Sequence, residues 1–521
     1  MWMSPFLVLF HDARKVFKWD DLGGEILSIA FPAALALAAD PVASLIDTAF
    51  IGHLGSVEIA AVGVAVSIIN QANKVTIFPL VNITTSFVAE ENSELCDDGS
   101  KEVSAKVYSE EKVAEEPGKD SDQLETMENG SLTIPSSETK GSSALSDLEA
   151  SERDSKVKRG KLRIPSASTA LMMGCILGIL QTVFLTVLAK PLLGLMGVKP
   201  GSTMLNPALR YLTLRSLGSP AVLLSLAIQG IFRGLKDTKT PLYATAAGDL
   251  VNIILDAIFI LACHWGVSGA AIAHVISQYI LLLILLFKLI REVELLPPSS
   301  KHLQLSKFLK NGLWLFARVI AATFCVTLAA SLAARLGSTV MAAFQVCLQI
   351  WLTSSLLADG LAIAGQAILA TAFAVKDYKK AKAAAARVLQ MGFVMGHGLA
   401  VVVGLGLYFG SGVFSKDKNV IRLITIGIPF VAGTQPINSL AFVLDGVNFG
   451  ASDFFYSAYS MVMVAAMTIG FEFLFLKSNG FVGIWIALAI FMLLRTIAGL
   501  WRLATGTGPW CFLRASTQPM I

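Results

Sequence analysis

Apolar residues in this chain come in long blocks, not in the short alternations of strands or the narrow stripes of soluble helices. A helix rises about 1.5 Å per residue, so roughly 20 mainly apolar residues cross the hydrocarbon of a bilayer. Blocks of that length occur at residues 25–51, 58–89, 166–189, 206–231, 243–263 and 267–290. They occur again at 309–334, 340–373, 384–411, 420–446, 455–476 and 481–502. The pattern predicts an all-α integral membrane protein of about twelve transmembrane helices.

The rhythm breaks once, over residues 92–161. From Ser93 to Gly160 there are 17 acidic and 9 basic residues and almost no aromatics. Such a stretch buries too little apolar area to offset its ordering entropy, so it is expected to be a disordered acidic insert. Around it the pattern divides the chain into an N-terminal segment 1–24, helices 1–2 at 25–91, and helices 3–6 at 162–291. A linker at 292–308, helices 7–12 at 309–503 and a tail at 504–521 complete it.

Basic residues collect in alternate loops. Arg14, Lys15 and Lys18 precede the first helix, and Lys156, Lys158, Arg159, Lys161 and Arg163 precede the third. Arg233, Lys236 and Lys239 follow the fourth, and Lys376, Lys379, Lys380 and Lys382 follow the eighth. The positive-inside rule then places both termini and the insert in the cytosol.

The chain also repeats itself. Leu54-Gly55-Ser56 with Ala60-Ala61 recurs as Leu336-Gly337-Ser338 with Ala342-Ala343. Arg233-Gly234 is matched to Asp445-Gly446, and Gly266-Val267-Ser268-Gly269 to Gly480-Phe481-Val482-Gly483. Duplication of a six-helix unit gives two pseudo-symmetric bundles with a cavity between them, a transporter architecture. Runs such as Gly174-Cys175-Ile176-Leu177-Gly178 are expected to allow close helix packing.

Composition narrows the function. Of 521 residues, 55% are hydrophobic and 15% charged, with a mean hydropathy of +0.67; soluble chains carry roughly 25% charged residues. The chain has no HExxH, no P-loop and no GxSxG, and its six histidines lack metal-ligand spacing. Neither an enzyme nor an ATP-driven pump is expected, nor a metal, a cofactor or a nucleic-acid partner.

Pro32 followed by Asp47-Thr48-Ala49-Phe50-Ile51-Gly52-His53-Leu54-Gly55 resembles the first-helix motif of the multidrug and toxic compound extrusion (MATE) family. Gln229-Gly230-Ile231-Phe232-Arg233-Gly234-Leu235-Lys236-Asp237 resembles that family's second recurring motif. The acidic insert and Phe442-Val443-Leu444-Asp445-Gly446-Val447-Asn448-Phe449-Gly450 are similar to the plant citrate exporters of aluminium tolerance and iron movement. The resemblance implies a monomer, in the plasma membrane, that exports citrate or a similar organic anion in exchange for protons. It aligns Asp47, Tyr211, Asn252 and Asp256 with a proton and cation network of prokaryotic members. Gln229 falls where that network has an Asn.

Ionisable residues at membrane depth point to function independently of resemblance. Asn252 and Asp256 share a helix face, one turn apart. Asp40, two turns before Asp47 and next to Pro41, is either part of the same site or a response to a bend. Lys74, Arg215 and Arg318 lie within apolar blocks and suit an anion, since guanidinium binds carboxylate bidentately. Gln345 and Gln349 offer further donors. Lys74 and Arg318, from different bundles, are expected to meet on one substrate, and Arg215 alternatively to pair with Asp256. Asp359 and Asp445 are expected near the cytosolic surface. The rival is a proton-coupled exporter of organic cations or secondary metabolites, which needs fewer buried bases.

Overall fold

The computed structural model describes residues 20–52, 54, 56–113, 162–196, 198, 200–295, 304–414 and 417–515. The first half holds α1 (Asp21–Gly52), α2 (Ser56–Val113), α3 (Pro165–Val187), α4 (Leu205–Ser216), α5 (Ser219–Gly234), α6 (Lys239–Asp256) and α7 (Gly266–Glu292). The second holds α8 (Leu305–Arg335), α9 (Ser338–Ala374), α10 (Tyr378–Phe414), α11 (Lys418–Gly433), α12 (Gln435–Gly450) and α13 (Phe454–Thr505). Helix α2 continues past residue 92 to Val113 and so takes in the start of the expected insert; residues 114–161 lie outside the described part.

Two of the predicted crossings take a form that hydropathy does not reveal. The fourth is the pair α4 and α5, bent by 45°, and the tenth is α11 and α12, bent by 47°. Pro220 and Pro436 stand in the first turn after each bend, where a missing N–H costs nothing and the fixed φ starts a helix. Helix α13, at 52 residues, is two crossings. Gly480, at φ 54°, breaks it, and Gly483 then packs against the carbonyl of Phe475. In a straight helix those two residues would stand about 12 Å apart. Nine long apolar helices, one of them doubled, together with the two bent pairs, give twelve crossings among the described residues. Their outward faces carry Val187, Leu283, Leu313 and Phe409, each more than 60% exposed, as a bilayer requires.

The duplication is visible in the backbone, in a register one turn from the one expected. Helices α5 and α12 have the same length, 16 residues. Each is followed by a residue at positive φ, Lys236 (64°) or Ser452 (53°). Asp237 N–H then donates to Phe232 O at 2.9 Å, and Asp453 N–H to Asn448 O at 2.9 Å. Gly230 and Gly234 rest on the backbone of α2 at Val81 and Thr85, while Gly446 and Gly450 rest on α9 at Ala362 and Gln366. The partner of Asp445 is therefore Gln229, not Arg233.

The end where α1 begins and α13 finishes is called the base, and the opposite end the mouth. Bonds between the halves gather at the base. Glu25 of α1 takes Lys236 of its own half at 2.6 Å and Lys380 of the other at 3.1 Å. Asp20 pairs with Arg387 at 2.9 Å, and Glu90 with Lys307 at 3.5 Å and with the Ser452 hydroxyl. Apolar packing follows the same course, with Ile26, Ile29, Ala30 and Ala33 of α1 sharing a core with Leu361, Val443 and Trp510. A two-residue parallel ladder at the base pairs Leu162 with Val293 and Arg163 with Glu294. Beyond residues 296–303 the second half starts at Gln304, whose side chain donates to Glu91 at 2.7 Å and whose N–H reaches Thr169 at 3.4 Å.

Candidate functional site: a cleft between the halves and two buried charge clusters

On α2, Ser67, Asn70, Gln71 and Lys74 are exposed and follow the helical i, i+3, i+4, i+7 spacing of one face. One turn toward the base, the same face carries Phe78, whose ring meets Phe449 of the second half at 5.9 Å. One turn further, the Asn82 carbonyl accepts from Gln366 at 2.8 Å. On α9, Gln345, Gln349 and Thr353 are exposed, and that face continues to Gly360, packed on Ala30 and Ala34. Faces that touch at the base thus part toward the mouth and leave a polar cleft. Lys74, Gln345 and Gln349 stand on these exposed faces, and neither exposed stripe carries a carboxylate.

A second cluster lies inside the first half. Asn252, buried on α6, donates to Asp47 of α1 at 2.7 Å and to Asp256 at 3.3 Å, and accepts from Ser277 of α7 at 3.3 Å. The Asp47 and Asp256 carboxyls stand within hydrogen-bonding reach of each other, and Asp256 Oδ1 is buried without a donor. Two carboxylates hydrogen-bond to each other only when one of them carries a proton. Arg215 donates to the Tyr211 hydroxyl, and its charge acts on both carboxylates. Arg215 therefore belongs to this network and not to the cleft. His274, also within reach of the Arg215 charge, and Ser277 are members that no sequence pattern pointed to. Gln229 is buried in α5 and makes no hydrogen bond to this group among the described residues. The Asp40 side chain lies outside the described ones.

The third cluster corrects two expectations. Arg318 does not open onto the cleft beside Lys74; it is 4% exposed within the second half. Asp445 is not near the surface; it is buried on α12, with Arg318 of α8 and Arg495 of α13 both paired to its Oδ2. Arg318 also donates to the Ser457 carbonyl at 3.1 Å and lies over the Phe449 ring, and Arg495 lies over Phe442. Asp359 lies within electrostatic reach of Arg495, Asp445 and Arg233. Arg495 sits among aliphatic residues more than 170 positions from Arg318, and only the fold brings them together.

Comparison with known proteins agrees with this architecture. The MatE family model matches residues 164–258 and 315–474. Protein DETOXIFICATION 42 of Arabidopsis thaliana is 58% identical over 520 residues, covering 98% of each chain. Protein DETOXIFICATION 43 of the same plant is 60% identical over 527 residues, covering 99% of this chain and 96% of the relative. Among solved structures, MATE in the bent conformation superposes with a TM-score of 0.72 at 18% identity, over 98% of this chain and 99% of that one. A MOP superfamily transporter from Pyrococcus furiosus gives 0.73 at 17% identity, over 97% and 98%.

Proposed function

The chain belongs to the MATE family of secondary transporters, and from that premise we propose that it exports citrate or a similar organic anion from the cytosol in exchange for protons. The base, flanked by the loops richest in lysine and arginine, is the cytosolic end. The cleft is then open to the outside, the state in which an exporter releases its cargo.

The observation that carries the substrate reading is the sign of the cleft. Its exposed stripes present Lys74, the Gln345 and Gln349 amides and hydroxyl groups, and no carboxylate. An anion that gives up hydration on entering needs fixed positive charge or many donors in exchange. A cation would meet the reverse of what it needs. The Asp47–Asp256 contact supplies the proton-binding site, separate from the cleft wall and linked to α1, which packs on both halves.

The test is efflux from proteoliposomes loaded with radiolabelled citrate, run beside a cationic dye. Lys74→Gln should weaken apparent citrate affinity about tenfold, the scale of one hydrogen bond to a charged group, with protein yield unchanged. If citrate transport is unaffected by Lys74→Gln while the dye is transported, the substrate is an organic cation and the anion reading fails.

A further inference from the structure

Two arginines on one carboxylate are more than an internal ion pair requires. One guanidinium can satisfy a carboxylate through two parallel N–H bonds. Here a second arginine is brought from another helix onto the same oxygen of Asp445. The result is a surplus of donors, since each guanidinium offers five N–H groups and no acceptor. Part of that surplus goes unused, because Arg495 Nε is buried and has no acceptor. The cluster borders a small cavity, with room for about one water, lined also by Ser457 and Ser460. Toward the cleft, the Phe449 ring separates Arg318 from Phe78, which is one turn below Lys74 on the cleft wall. The arrangement is a fork for a planar, acceptor-only group, filled for now by a side chain of the protein.

We propose that Arg318 and Arg495 form a carboxylate-binding site which Asp445 occupies in this outward-open state, and that a carboxylate of the exported anion holds it earlier in the cycle. The inference rests on the organic-anion reading. It explains how release can be driven: a ligand favours one of two states only by binding them unequally. An internal carboxylate that fills the fork on the outward side lowers affinity where the anion must leave. The cavity has no space for the ligand beside Asp445, so the two carboxylates exchange and do not coexist.

The experiment is equilibrium binding of radiolabelled citrate to the purified full chain, with thermal unfolding as the check on folding. Asp445→Asn removes the competitor at constant size and should tighten citrate binding about tenfold while slowing efflux. Arg495→Lys keeps the charge but loses the planar fork, and should weaken binding by tenfold or more while Asp445 stays paired. A purely structural triad predicts lower stability in both variants and no gain in affinity, and that result would overturn the proposal. If Asp445→Asn does not fold, Arg495→Lys decides alone, since wild-type affinity in a folded Arg495→Lys protein is incompatible with the fork. A wild-type chain that neither binds nor exports citrate sinks the anion reading itself; one that exports it while both variants bind normally sinks only the fork.

Discussion

At the scale of residues, the chemistry is concentrated where side chains from distant segments converge. Asp47 and Asp256 meet at Asn252, whose amide donates to both carboxyls. On the proposed reading the pair binds the coupling proton, and replacing either acid with Asn removes that site but keeps the hydrogen-bonding shape. Asp47→Asn and Asp256→Asn should each flatten the dependence of efflux on external pH. Rates would be compared across a range of outside pH at fixed inside pH; an unchanged profile in both would remove this pair from coupling. Much of this network was legible in the sequence, because Asn252 and Asp256 share a helix face and charge within apolar blocks is expensive. Arg318 was legible as unusual but not in its partners. Asp445 and Arg495 lie 127 and 177 positions away, and nothing local to any of the three indicates that they meet. Asp445 looked superficial only because it lies five residues before the end of its helix.

At the scale of elements, small residues set how closely helices approach. A Cβ on Gly446 would collide with the Ala362 carbonyl of α9, and one on Gly450 with the Gln366 carbonyl. Backbone cannot yield as a flexible side chain can. Gly446→Val should therefore cost about 1–3 kcal/mol or more, the range for overpacking a well-filled interior, read as a lowered unfolding temperature in detergent. The same change at Gly398, where nothing stands within 4 Å of an added Cβ, should be mild by comparison. Equal losses at the two positions would mean that packing between α9 and α12 is not the cause. These glycines also explain the slip in the repeat as read from sequence. They recur every four residues, so sliding one copy by a helical turn still lays glycine on glycine. Only the turns after α5 and α12, with their positive φ, fix the true register. Crossing number was legible from length alone, whereas the bends before Pro220 and Pro436 were hidden inside unbroken apolar blocks.

At the scale of the whole molecule, polar bonds across the base hold the halves together while the mouth is open. Glu25 alone ties Lys236 and Lys380, and Asp20 ties Arg387. Each pair keeps one partner partly open to solvent and contributes about 1 kcal/mol, so removing two together should shift the balance between states several-fold. In the double variant Glu25→Gln and Arg387→Gln, a cysteine placed at Ser86 should react faster with a membrane-impermeant maleimide applied from the base side. No change in labelling rate would show that apolar packing, not these charges, keeps the base shut.

The connection between the halves leads to a different consequence. Its first end is fastened by the Leu162–Val293 ladder, and its second by Gln304 on Glu91 and Thr169. Both fastenings are on the first half. The described residues on either side of 296–303 are thus both tied to the first half. The opening turn of α8 is held there as well, with Phe308 pressed edge-on against Phe87 at 5.1 Å. Because both anchors lie on the same half, a connection lengthened by a few residues should keep the wild-type unfolding temperature and efflux rate.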